Sequence, residues 1–156
     1  MRIFLRIVAY LVCVVIHVSG TPNPTIDPIG QMRCLSFAEA ENSGLSITDL
    51  RAEYTAAVTA VPGHRPELAA AWSELQYTLR NQLLESGLTD LGGRSLFTVI
   101  LFEPDGRIAW VFYRGLEPDE EQIFCEAVEK LTENYRFPVD STVRYSQCGT
   151  TYFAKK

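Results

Sequence analysis

Leu96-Phe97-Thr98-Val99-Ile100-Leu101-Phe102, then Glu103-Pro104-Asp105-Gly106, then Ile108-Ala109-Trp110-Val111-Phe112-Tyr113: two apolar runs joined by a turn, around which the rest of the chain is organised. Both runs are rich in β-branched and aromatic residues, which suit a pleated, half-buried surface. Pro104 presets φ at the first corner, and Gly106 supplies the left-handed position of a type I turn with a G1 bulge. Alternation places Leu96, Thr98, Ile100 and Phe102 on one face and Phe97, Val99 and Leu101 on the other. In the second run Ile108, Trp110 and Phe112 oppose Ala109, Val111 and Tyr113. Both faces of the hairpin are therefore apolar, whereas a sheet with one wet face carries polar residues at every second position. Each face needs a cover, or one of them is a contact surface.

Outward from the hairpin the pattern is helical. Pro66 suits a first turn, Leu68, Trp72, Leu75, Leu79 and Leu83 form a stripe, and Gly87 caps a helix over 66–86. Beyond the hairpin, Pro118 begins a helix over 118–135 with Asp119, Glu120 and Glu121 in its first turn, where acids complement the helix dipole. Its inward face is Phe124, Val128, Leu131 and Tyr135. Val143 to Phe153 reads as a closing strand, with a bulge expected at Cys148-Gly149. Upstream, Ser46-Ile47-Thr48-Asp49 resembles a capping box opening a helix that Pro62-Gly63 stops. Met32 to Phe37 is a candidate short strand. The expectation is an α+β fold: an antiparallel sheet built on the central hairpin, with two or three helices.

The 156 residues support one domain, over 31–156. Residues 1–20 read as a signal peptide. Arg2 and Arg6 precede an apolar core of 12 residues, Ile7 to Val18, too short for the ~20 residues of a bilayer span, and Ser19-Gly20 offers a cleavage site. Cys13 falls inside that core. Cleavage after Gly20 would leave no stable membrane anchor and place the protein in the periplasm or outside the cell. Residues 21–30, with three prolines, form an extended lead-in. The whole chain has 14 basic and 19 acidic residues; without Arg2 and Arg6 the balance is 12 to 19, a net charge of −7. That disfavours nucleic acid, which demands a basic footprint. Three cysteines remain, and export makes pairing plausible. Cys34 with Cys148 is the expected disulfide, leaving Cys125 as a buried thiol; the alternative is three reduced, packed cysteines.

The chemistry-bearing residues are sparse. After the leader only His64 remains of the histidines, in a loop, so any Ser-His-Asp or Cys-His arrangement would have to use it, without a nucleophile-elbow signature. No Cys-x-x-Cys pair, phosphate loop or dinucleotide fingerprint occurs, and no metal or cofactor is expected. Glu103 and Asp105 have a turn to explain them, and Glu117 to Glu121 a helix dipole.

The order helix, strand, Asp105-Gly106-Arg107-Ile108, strand, helix, closing strand ending in an aromatic resembles the C-terminal domain of TonB-like periplasmic proteins, over roughly residues 66–153. The resemblance implies a small non-enzymatic domain whose sheet edge pairs with a short peptide segment of an outer-membrane receptor. Two departures stand out. At about 3.1 Å per residue the lead-in reaches only some 30 Å, too little for an energy transducer's spacer. The family's Tyr-Pro element survives only as Tyr135-Arg136-Phe137-Pro138.

These readings converge on a binding or adaptor module. Its expected partner is a protein or peptide added along the closing strand, with Val143, Tyr145, Gln147, Thr151, Tyr152 and Phe153 as binding residues. Arg144, Lys155 and Lys156 have the alternative role of guarding that edge against pairing. Self-association as an envelope structural protein, a homodimer in the simplest case, is the competing expectation. A small hydrolase or thiol enzyme built on His64 or a free cysteine is the third.

Overall fold

The computed structural model describes residues 33–88, 91, 93–139 and 141–153. The expected leader, the lead-in, Met32, Lys155 and Lys156 lie outside the described residues. Ten elements follow in chain order: β1 (Arg33–Ser36), α1 (Phe37–Asn42), α2 (Ile47–Ala52), β2 (Thr55–Ala56), α3 (Ala57–Ala60), α4 (Arg65–Glu85), β3 (Ser95–Phe102), β4 (Ile108–Arg114), α5 (Pro118–Thr132) and β5 (Tyr145–Tyr152). The class is α+β. The strands form one sheet in the order β1-β4-β3-β5-β2.

The hairpin folds as its residues require. The Gly106 amide donates to the Glu103 carbonyl at 3.0 Å, the Glu103 amide to the Arg107 carbonyl at 2.8 Å, and Gly106 takes φ +77°. One detail of the alternation differs. Leu101 faces Trp110 but Phe102 faces Ile108, so Ala109 is an extra residue on β4. That bulge turns Ile108 to the side of Val111 and Tyr113, while Trp110 and Phe112 keep the other face. The bulge expected at Cys148-Gly149 is absent: β5 pairs with β3 in unbroken register from Ser95↔Tyr152 to Phe102↔Tyr145. Gly149 instead admits the α4 helix, since a β-carbon there would lie 2.9 Å from Trp72 Nε1.

The sheet is mixed, which corrects the antiparallel expectation. β3 pairs antiparallel with β4 and β5, but β1 runs parallel to β4 and β2 parallel to β5. Both parallel strands come from the segment before α4. Periodicity reports which face a side chain takes, not the direction of the neighbouring strand.

Each apolar face has its own cover. On one side α4 contributes Leu75, Leu79 and Leu83, and α5 contributes Phe124, Ala127 and Val128, against Leu96, Ile100, Phe102, Val111 and Tyr113. Each fully buried Leu, Ile, Val or Phe among them contributes about 1.5–3 kcal/mol. Trp72 and Leu131 are half-buried at the border of this layer. On the other side Ala40 of α1, Leu50 of α2 and Tyr54 pack on Val99, Leu101, Trp110 and Phe112. Residues 37–54 thus close the second face.

Helix ends follow their caps. The α4 helix stops in a Schellman arrangement: Leu88 donates to the Leu83 carbonyl at 3.0 Å, Gly87 to that of Leu84 at 3.2 Å, and Gly87 has φ +97°. In α5, Glu120 accepts from the Glu117 amide at 2.8 Å and from Arg94 Nη1 at 2.9 Å. Partial burial pushes the Glu120 carboxyl up, but the Arg94 and Glu117 hydrogen bonds prevail and leave it below its ordinary value. The single helix expected from Ser46 ends at Ala52, because Thr55 and Ala56 pair with Tyr145 and Ser146 of β5.

The disulfide joins Cys34 to Cys125, with Cα atoms 5.6 Å apart, and Cys148 is a free, exposed thiol. This corrects the expected Cys34–Cys148 pair. Cys34 lies opposite Val111, on the side that α5 covers; Cys148 lies opposite Val99, on the other. Three inter-strand steps of about 4.8 Å put β1 and β5 roughly 14 Å apart. A disulfide spans Cα atoms up to about 7 Å apart.

Candidate functional site

The sheet has a half-open edge at β5. Its first two residues are paired on both sides, with β3 and with β2. From Gln147 to Tyr152 the strand pairs with β3 alone, and among the described residues no second strand lies along it. An edge strand presents unpaired backbone N–H and C=O groups to solvent.

The six expected binding residues divide over this edge. Tyr145 is core: it is 1 % exposed, stacks on Phe102 at 5.0 Å, and donates its hydroxyl to the Val139 carbonyl at 3.2 Å. Phe153 is also core, 7 % exposed, its amide donating to the Arg94 carbonyl at 3.3 Å. Neither side chain is free to meet a partner. Both were expected there as residues of the closing strand, but aromatic side chains serve cores as readily as interfaces. Val143 precedes the strand and is 44 % exposed. Gln147 and Thr151 are half-buried on the half-open segment, and Tyr152 is 75 % exposed.

Two faces flank the open segment. On the α4 side, Trp72 and Gln76 close over Gly149. On the opposite side stands the Cys148 thiol. Sequence reasoning assigned Cys148 to a disulfide and so missed it as an exposed residue of the edge. The missing signal was strand order, which decides which cysteines meet.

Arg144 does not stand guard over the open segment. Its guanidinium donates to Glu103 at 3.1 Å, lies 4.0 Å from Glu53, and stacks 5.8 Å from the Tyr54 ring centre. It ties the hairpin turn and the end of α2 to the start of β5. Burial, with Glu103 adding to it, raises the Tyr54 phenol above its ordinary value despite Arg144. His64 is exposed and immediately precedes α4, without capping it through its side chain. Among the described residues no three His, Cys, Asp or Glu side chains group together as a metal site, and no helix is long and apolar enough to cross a membrane. Comparison of the chain with family models, with curated proteins and with solved structures finds no match.

Proposed function

We propose that the chain is an exported, non-enzymatic binding module that takes an extended peptide as a further strand along Gln147–Tyr152. The observation that carries this reading is that β5 has a strand on both sides at Tyr145 and Ser146 and on one side from Gln147 onward. Six residues without a strand on their outer side, at about 3.4 Å each, make a seat of at most roughly 20 Å, shortened at whatever part α3 covers where it packs against β5. Backbone hydrogen bonds would supply the affinity, and alternate peptide side chains would meet Trp72 and Gln76 on one face and Cys148 on the other. The order α4-β3-β4-α5-β5 supports the TonB-like reading, with β1 and β2 as additions at the two sides of that unit. The Cys34–Cys125 disulfide supports an oxidising compartment, and with it the signal-peptide reading of residues 1–20. The acidic balance speaks for a protein partner over nucleic acid.

The test is selection of peptides from a random display library on the oxidised protein, followed by amide exchange of the complex. Protection of Gln147–Tyr152 is the expected result. A selected peptide that protects another region, or a library that yields none, counts against strand addition here.

A second reading rests on the exposed Cys148 thiol in the same strand. Two copies would join edge to edge, the odd cysteine making the link. Light scattering with and without reductant distinguishes this homodimer from a monomer that binds peptide.

A further inference from the structure

We infer that the groove under the α1–α2 layer binds a small amphipathic carboxylate, its apolar body on Phe97 and Val99 and its carboxylate on Arg114 and Arg51. This site does not depend on the open edge of β5, although Cys148 of that edge is the cross-strand partner of Val99 in its floor. The groove encloses about 360 Å³, with Phe37, Leu45 and Ile47 as its apolar wall and Phe97 and Val99 as its floor. That volume lies near the lower end of small-molecule sites, roughly 300–1,000 Å³.

The anion preference comes from two arginines. Arg114, at the end of β4, is the cross-strand partner of Phe97. Its guanidinium lies 4.9 Å from the Phe97 ring centre and 5.7 Å from that of Phe37. Those rings are themselves 6.0 Å apart, so together they flank the guanidinium. With aromatic rings rather than a carboxylate beside it, that guanidinium keeps N–H donors for bidentate pairing with a carboxylate. Arg51 lines the same groove from the last turn of α2.

Neither arginine has a carboxylate partner among the described residues, although the chain carries more acids than bases. Arg94, Arg107 and Arg144 are all paired with Glu or Asp. Glu41 is the one acid lining the groove, and it pairs with neither arginine. Two cations against one anion, over an apolar floor, match a ligand with one negative end and an apolar body. A neutral apolar ligand would leave the arginines unused, and a polyanion would desolvate against Phe97 and Val99.

Cys148 gives the site its own reporter. It is exposed and is the cross-strand partner of Val99, on the same sheet face as the groove though not among its lining residues.

The experiment titrates the full-length oxidised chain with octanoate and 3-phenylpropionate, using octanol and 3-phenylpropanol as neutral controls. Amide resonances and the alkylation rate of Cys148 by iodoacetamide are followed. Saturable shifts at Phe97, Val99 and Arg114 are expected, with slowed alkylation and at least about tenfold weaker binding of the alcohols. Arg114→Gln should weaken carboxylate binding about tenfold, and Arg51→Gln, on an exposed position, should weaken it in the same direction. Absence of saturation up to about 10 mM overturns the proposal. So do shifts that map elsewhere, alcohols that bind as well as acids, or affinity unchanged in both variants.

Discussion

The backbone of Phe137 lies directly against Gly106: its amide donates to the Gly106 carbonyl at 2.9 Å, and a β-carbon on Gly106 would stand 2.4 Å from its carbonyl oxygen. The hairpin turn is thereby fastened to the segment after α5. Phe137 carries the contact inward, its ring 4.7 Å from Phe102 and 6.2 Å from Tyr145.

Gly106→Ala should therefore destabilise the domain by roughly 2–4 kcal/mol. It adds a methyl group at a left-handed φ of +77° and drives it into backbone that cannot rotate away. Urea unfolding of the two proteins measures the difference. A change within ~0.5 kcal/mol, the size of an ordinary surface substitution, would mean that the turn can part from Phe137 freely.

The disulfide makes a second prediction. It closes a separation of 91 residues between Cys34 and Cys125. In the chain-entropy account a loop of that length contributes about 4–5 kcal/mol. Reduction, or Cys125→Ser, should lower the urea midpoint accordingly. Under native oxidising conditions Cys148 should be alkylated, while Cys34 and Cys125 should resist until reductant is added. Protection of Cys148 with labelling of Cys125 would reverse the assignment.

What was legible in the chain follows from which forces are local. The hairpin, the Gly87 cap and the spans of α4 and α5 are written in neighbouring residues, and the structure reproduces them to within a few positions. The apolar character of both hairpin faces called for a cover on each side or a contact surface on one, and the structure has the first. The α1 helix went unread although Ser36 and Glu39 form a capping box, with the Glu39 amide 3.2 Å from Ser36 Oγ and the Ser36 amide 2.8 Å from Glu39 Oε2. Its six residues are too few to show a periodicity. The two-residue β2 was equally invisible, because Thr55 and Ala56 become a strand only where Tyr145 and Ser146 lie beside them. Strand direction and cysteine pairing both depend on the sheet order, a property of contacts distant in sequence.

The candidate edge was half legible. A late strand was expected at the border of the sheet, and β5 from Gln147 onward is such a border. Tyr145 and Phe153 could not be sorted from Tyr152 beforehand, since alternation gives a face and not its depth. Gly149 shows the same limit. A glycine inside a strand signals either a bulge or a close approach, and only the position of Trp72 decides for the second.

The last prediction concerns alkaline pH. The Tyr135 hydroxyl is buried and has no hydrogen-bond partner among the described residues. Burial, with the Glu74 carboxylate adding to it, pushes the phenol from 10.0 up to about 12. The unfolded chain then releases this proton first, so the contribution to stability is complete below pH 10.0 and is lost as pH rises toward about 12. Tyr113 and Tyr54 are raised in the same direction, each chiefly by burial, and steepen the loss. Tyr135→Phe should remove one share of it, making the variant less sensitive than the parent between about pH 10 and 12. At neutral pH the substitution should be neutral or mildly stabilising, because it deletes a buried polar group that lacks a partner. Urea unfolding of both proteins at pH 7 and about pH 10.5 decides the matter. A loss of more than ~1 kcal/mol at pH 7, the usual net worth of one hydrogen bond, would show that the hydroxyl is satisfied after all.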